Sequence, residues 1–226
     1  MNNTLNYSAQ VKFATMILIS LSLSLQSCGQ NTTQKPTSTN KTKQTMNTAN
    51  LDTITLAGGC YWCIEAIYQR LDGVVSVESG FSGGSMKNPS YRDVCTGETG
   101  HAECVQVTYD KTKTSLDEIF KVFFTVHDPT TLNRQGADEG TQYRSAIFYR
   151  NDEQKKAAES IIADLTKAKV YSDPIVTEVS PFSVFYKAED YHQDYYNQHG
   201  SQSYCQIVIR PKVEKFEKVF KDRLKK

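Results

Sequence analysis

The chain has almost no net charge: 26 Lys and Arg stand against 25 Asp and Glu in 226 residues, giving +1. The two signs are scattered, so there is no basic patch or stripe of the kind that tracks a phosphate backbone, and nucleic acid is excluded as a partner. It also lacks a membrane span. Its longest apolar run, Phe13 to Leu25, is broken by serines and too short to cross a bilayer. Internal repeats are absent. Tryptophan occurs once, at Trp62, whereas thirteen tyrosines and ten phenylalanines make the chain aromatic-rich.

The apolar run has the length of a signal-peptide core, preceded by a weakly positive segment whose one basic residue is Lys12. It ends in Leu25-Gln26-Ser27-Cys28, which resembles the bacterial lipoprotein processing box, with Cys28 as the lipidated first residue of the mature chain. Residues 1–27 are therefore expected to be a lipoprotein signal peptide. Residues 28–50 are rich in Thr, Asn, Gln and Lys with almost nothing to bury, and read as a lipidated, disordered tether. Removing 1–27 takes away Lys12 and no acid, leaving 25 basic against 25 acidic side chains and no polybasic membrane patch. The expected location is the cell envelope, facing the periplasm or the exterior and held to the membrane by the lipid. Export also bears on the cysteines: with Cys28 used, five remain, and an odd number outside the cytoplasm implies an unpaired thiol.

Residues 51–226 form the expected globular domain. The pattern reads as strand 53–57, helix 61–71, strand 74–80, a Gly-rich loop 82–100, strand 102–109, helix 115–126 and a long loop 128–142. Strand 143–149, helix 152–168, strands 175–180 and 182–186, helix 189–197, a strand near 204–209 and helix 211–224 follow. Strands and helices alternate without strict βαβ repetition, so the fold class is α+β, an α/β sandwich with a mixed sheet flanked by helices and long Gly-rich functional loops.

The segment Gly58-Gly59-Cys60-Tyr61-Trp62-Cys63 carries the strongest chemical signal. A strand, a two-glycine turn and a helix place Cys60 at a helix N-terminus, where free N–H groups and the dipole favour a thiolate. In His101–Tyr109, alternation puts Glu103 on one face with Val105 and Val107. A carboxylate there is costly, burial raises its pKa, and it becomes a usable general acid near neutral pH.

These segments together resemble the peptide methionine sulfoxide reductase A family over residues 53–218. The match includes GGCYWC (58–63), SGFSGG (79–84), YRDVCTGETGHAE (91–103), HDPT (127–130), QGADEGTQYRS (135–145), AEDYHQDY (188–195) and YCQIVIRPKVEKF (204–216). Against the family pattern, Tyr61 replaces a phenylalanine, Phe81 a tyrosine, and Cys63 a common glycine, which creates a CxxC. The resemblance implies Cys60 as nucleophile, Tyr61 and Trp62 as the pocket for the substrate methyl group, and Glu103 as the acid. It implies Tyr91, Asp138 and Tyr143 as groups that polarise the sulfoxide oxygen or organise the site. Cys60 would pass through a sulfenic acid to an intramolecular disulfide, with Cys63 as first resolving thiol and Cys205 second or structural. No metal or organic cofactor is implied. The expected partners are proteins or peptides carrying methionine S-sulfoxide and an external thioredoxin-like dithiol, acting on a monomer.

Two rivals share these residues. A thioredoxin-like oxidoreductase would explain the CxxC, but leaves Glu103 without a task and lacks the proline expected opposite the motif. A zinc site of Cys60, Cys63, His101 and Cys104 is opposed by alternation, which puts His101 and Cys104 on opposite faces.

Overall fold

The computed structural model describes residues 48–226; the segment expected to be a signal peptide, Cys28 and nearly all of the expected tether lie outside them. The described part is built on a six-stranded sheet of order β7-β6-β1-β3-β2-β8. Its strands are β1 (Leu51–Gly58), β2 (Val74–Ser82), β3 (Ala102–Asp110), β6 (Ser145–Tyr149), β7 (Glu178–Pro181) and β8 (Phe185–Lys187). All pairs are antiparallel except β6 with β7. The sheet is thus mixed, as expected. A small hairpin, β4 (Arg134–Gln135) and β5 (Asp138–Glu139), lies within the loop 128–142.

Six α-helices accompany the sheet: α1 (Tyr61–Tyr68), α2 (Tyr91–Val94), α3 (Leu116–Val126), α4 (Asp152–Lys167), α5 (Tyr195–His199) and α6 (Arg210–Val219). Among the described residues no helix is long and apolar enough to cross a membrane. Caps explain several starts: Asn151 accepts from the Gln154 amide at α4, and Ser115 from the Glu118 amide at α3. The α3 sequence LDEIFKVFFTV buries Ile119, Phe120, Val122, Phe123 and Val126, each burial stabilising by about 1.5–3 kcal/mol.

Both faces of the central strand β3 are covered. Val105, Val107 and Tyr109 join the large core with α1, α3 and α6, while Ala102 and Cys104 join a small second core with Ala57, Ala146 and Phe148. Glu103 lies on the large-core side beside Val105, as the alternation predicts.

Several predicted elements differ: α2 lies within the predicted loop 82–100, α6 ends at Val219 where helix was expected to 224, and two segments change type or break. Residues 204–209 form no strand: Cys205–Ile209 is a π-helical turn running directly into α6. The β-branched run Ile-Val-Ile invites a strand assignment. However, the residues buried here are Cys205, Ile209, Val213 and Phe216, a helical stripe that packs into the large core. Pro211, which has no amide hydrogen to donate back, follows at the junction. The predicted helix 189–197 is split into a 3₁₀ turn, Asp190–His192, and α5, because Asp194 adopts a left-handed conformation with φ 53°.

Candidate active site

The two-glycine turn delivers Cys60 to the N-cap of α1. Gly59 has φ +88°, and a Cβ there would meet the Gln135 side chain at 2.5 Å, so only glycine fits. Gln135 is itself fixed by the amide and carbonyl of Asp128, which brings the loop carrying Asp138 and Tyr143 against the turn. Arg144 extends the anchorage by bonding Glu178 of β7 at 2.9 Å and the Gly100 carbonyl at 3.1 Å.

The helix N-terminus serves a different group from the one expected. The first free amide of α1, that of Tyr61, donates to Glu103 Oε2 at 3.2 Å, and the Cys60 side chain makes no capping hydrogen bond. Cys60 is 5% exposed. Burial pushes its thiol well above the ordinary range, the neighbouring Cys63 and Glu103 push the same way, and only the Tyr204 hydroxyl opposes them. The predicted thiolate at Cys60 is therefore not the resting state. The helix terminus is too weak a field to offset full burial beside other anionic groups.

Glu103 is 2% exposed. Burial raises it to about 8, with the Asp138 and Cys63 charges adding and the Tyr61 amide opposing. At neutral pH it holds its proton. Tyr91, at the first position of α2, is pushed up by burial, then by Cys95 and then by the Glu103 charge, and Tyr143, in the 3₁₀ turn Thr141–Tyr143, by burial and then by the Glu103 charge. Tyr143 also feels Cys60 and Asp138. The five residues Cys60, Glu103, Tyr91, Asp138 and Tyr143 thus act on one another electrostatically although they come from α1, β3, α2 and the loop 135–145. Asp138 accepts from the Tyr204 hydroxyl at 2.8 Å, and Tyr91 bonds Cys95 through its hydroxyl.

The aromatic wall is also assembled. Tyr61 is buried against Phe81 and His192, with centroids 5.9 and 5.5 Å away. Trp62 stacks on Tyr195 at 3.7 Å with the rings 6° from parallel, and meets Tyr204 edge-on at 6.0 Å. His192 lies 4.3 Å from the Tyr91 ring. Several buried polar atoms here have no hydrogen-bond partner: Tyr61 Oη, Trp62 Nε1, His192 Nδ1, and His192 Nε2 and Glu189 Oε2, which face each other at 3.9 Å. A buried group left without a partner costs about 1–3 kcal/mol, so these atoms offer hydrogen-bonding capacity to a polar guest. A cavity of about 500 Å³ lined by Tyr91, Cys95, Glu189 and Tyr191 opens beside them.

The structure separates the two candidate resolving thiols. Cys63 hydrogen-bonds Cys60 directly. Cys205 is fully buried in the large core, and burial pushes its thiol up. Cys104 is buried under the second face of the sheet and donates to the Gly80 carbonyl. His101 Nδ1 accepts from the Gly84 amide and its Nε2 bonds the Met86 carbonyl, so it shapes the Gly-rich loop. Among the described residues no group of three or more His, Cys, Asp or Glu is placed to hold a metal.

Three residues at the site carry no role from the sequence: Lys212, Tyr204 and Glu65. Lys212 Nζ lies 3.5 Å from Cys63 Sγ. Glu65, one turn beyond Trp62, is 1% exposed and accepts from the Asp194 and Tyr195 amides at 2.9 and 3.4 Å. Burial raises it to about 7, and the two amides hold it down. It thereby ties down the turn whose Tyr195 ring stacks on Trp62. Glu65→Ala is expected to unstack that pair. Because Trp62 is the only tryptophan, its emission should shift red and become more open to quenchers, and unchanged emission would sink the idea. Tyr204 and Lys212 lie in the quoted motif 204–216, which was the available signal, whereas Glu65 lies just beyond the motif 58–63; their partners are distant in sequence.

Comparison with known proteins agrees with this geometry. The family model described as peptide methionine sulfoxide reductase matches residues 52–224. The peptide methionine sulfoxide reductase MsrA of Saccharolobus solfataricus is 55% identical over 175 residues, 77% of this chain and 98% of that protein. MsrA 1 of Rhodopirellula baltica is 54% identical over 171 residues, covering 76% and 88%. Among solved structures, reduced Mxr1 from Saccharomyces cerevisiae superposes with a TM-score of 0.64 at 36% identity, covering 70% of this chain and 90% of that one. Methionine sulfoxide reductase A of Corynebacterium diphtheriae gives 0.60 at 38% identity, covering 66% and 76%.

Proposed function

The chain belongs to the peptide methionine sulfoxide reductase family, and from that premise we propose how its residues divide the thiol-dependent reduction of methionine sulfoxide to methionine. A sulfoxide oxygen leaves only when protonated or strongly hydrogen-bonded. Glu103, a neutral acid at pH 7, supplies the proton, and the Tyr91 and Tyr143 hydroxyls supply hydrogen bonds where charge develops. Asp138 keeps the Tyr204 hydroxyl in place. Cys60 attacks the sulfur, methionine leaves, and Cys60 is left as a sulfenic acid. Tyr61 and Trp62 hold the methyl group.

Cys63 then condenses with the sulfenic acid, releasing water and forming a disulfide. Its hydrogen bond with Cys60 supports this order, as does the opposite direction of the two shifts, Cys63 lowered and Cys205 raised. An external thioredoxin-like dithiol restores the two thiols by exchange, and no organic cofactor takes part. The observation that carries this reading is the Tyr61 amide bond to Glu103, which sets a protonated acid beside the nucleophile's own helix turn.

The test is reduction of resolved S and R epimers of methionine sulfoxide in peptides with dithiothreitol as reductant. The S epimer should be consumed and the R epimer spared. Equal consumption of both would overturn the stereochemical part, and consumption of neither would overturn the assignment.

The processing box at Cys28 supports a further reading: a monomeric, lipid-anchored enzyme that repairs oxidised envelope proteins. Cells producing the full chain should yield it in the detergent phase on phase separation, and Cys28→Ala should move it to the aqueous phase. An aqueous wild-type protein would contradict the anchor.

A further inference from the structure

Two donors converge on the Cys63 sulfur. The Cys60 thiol hydrogen-bonds to it from the N-cap of α1, and the Lys212 ammonium reaches it from α6 at 3.5 Å. The other charged and titratable groups that bear on this pair are Asp138 from β5, Glu103 from β3, the Tyr204 hydroxyl, which bonds Cys60, the Cys205 thiol, and the Tyr61 and Tyr143 hydroxyls. Asp138 raises Cys63, and burial raises it too. The Cys60 hydrogen bond and the Lys212 charge nevertheless prevail, and Cys63 falls below the ordinary thiol range while Cys60 rises. An ammonium is a compact charge that supports a neighbouring thiolate strongly when both are out of water.

We propose that the resting site keeps its thiolate on Cys63, held by Lys212, and that Cys63 takes the Cys60 proton as Cys60 attacks the sulfoxide. Cys63 is then a base in the first step as well as the resolving thiol in the second. This rests on the sulfoxide reduction described above.

The protons and electrons balance. In the first step the Cys60 proton passes to Cys63, and the Cys60 sulfur bonds to the sulfoxide sulfur while Glu103 protonates the oxygen. The hydroxyl group then transfers to Cys60. As the bond between the two sulfurs breaks, methionine leaves reduced by the two electrons that Cys60 gives up, Cys60 is left oxidised as a sulfenic acid, Cys63 is a thiol and Glu103 a carboxylate. In the second step the Cys63 sulfur displaces the hydroxyl group from Cys60, which leaves as water with the Cys63 proton. The negative charge that began on Cys63 ends on Glu103. Proton transfer to a neighbouring thiolate base during the step also explains why a nucleophile raised so far by burial can react at neutral pH.

The test is an ultraviolet thiolate titration of the full chain without substrate, on wild type and on Cys60→Ser, Cys63→Ser, Lys212→Met and Lys212→Arg. A thiolate step below the ordinary thiol range should persist in Cys60→Ser and vanish in Cys63→Ser. Lys212→Met should move it up by about one pH unit or more, and Lys212→Arg should leave it low. In single-turnover experiments Cys63→Ser should slow sulfenic acid formation on the order of 100-fold and still reduce one sulfoxide per enzyme. The proposal is overturned by a low step that survives in Cys63→Ser and is lost in Cys60→Ser. The absence of any low step, or an equal shift in both Lys212 variants, also overturns it. Because the titration contains no substrate, it stands apart from the resolving role: a trapped Cys60–Cys205 bridge would remove that role and leave the base untouched.

Discussion

Glu103→Gln should lower kcat/KM for methionine sulfoxide by roughly 10²–10⁴-fold, the range that a positioned general acid contributes. Glutamine has the same shape and can still accept the Tyr61 amide bond, so the turn that presents Cys60 is retained. What disappears is the proton. In the wild-type protein Glu103 titrates near 8 because burial outweighs the Tyr61 amide, so activity should decline as pH rises through that value, and the variant should lack that limb. The substitution should move stability in the opposite direction from activity. The ordinary value is 4.5 and the folded value about 8. Between these the folded chain keeps a proton that the unfolded chain has released, so the stability linked to this group is full below 4.5, falls across the window and is gone above 8. Glu103→Gln should melt with the wild type near pH 4 and at a higher temperature at pH 8 and above. A variant less stable than wild type at pH 9 would show that the carboxyl is not held neutral by burial.

Cys63→Ser and Cys205→Ala should part widely in steady-state turnover. A thiol held in contact with a sulfenic acid has an effective concentration far above that of any millimolar dithiol. Losing Cys63 should therefore slow recycling at least 100-fold on a conservative reading of that advantage, with sulfenic acid accumulating and open to trapping by dimedone. Cys205 is fully buried, its thiol is pushed up, and it packs in the core stripe with Ile209, Val213 and Phe216. A thiol raised in this way stays protonated and is a poor nucleophile, whereas the equally buried Cys63 is lowered. Cys205→Ala should lose some thermal stability and keep turnover within about threefold of wild type, since no group that reacts is altered. Loss of recycling in Cys205→Ala with normal recycling in Cys63→Ser would reverse the assignment.

Local pattern was sufficient wherever the deciding interaction is local. Alternation in β3 placed Glu103 among Val105 and Val107, and the two glycines before Cys60 marked a turn that only glycine can make beside Gln135. Pattern failed where tertiary contact overrides propensity. The Ile-Val-Ile run at 207–209 reads as a strand until Cys205, Ile209, Val213 and Phe216 are seen to share one buried helical stripe. The site shows the same division. The residues proposed as nucleophile, acid and aromatic wall were legible as residue types in quoted motifs. The state of the nucleophile was not, because Lys212 meets Cys63 across 149 positions and burial, which no motif reports, decides the Cys60 proton.

The most direct test of the account is the disulfide left by a single turnover. The enzyme is given one equivalent of methionine sulfoxide without reductant, quenched by alkylation, digested and mapped by mass spectrometry. The account predicts a Cys60–Cys63 bridge with Cys95, Cys104 and Cys205 alkylated. A Cys60–Cys205 bridge, or a Cys60 that is neither bridged nor oxidised after methionine has formed, would contradict it.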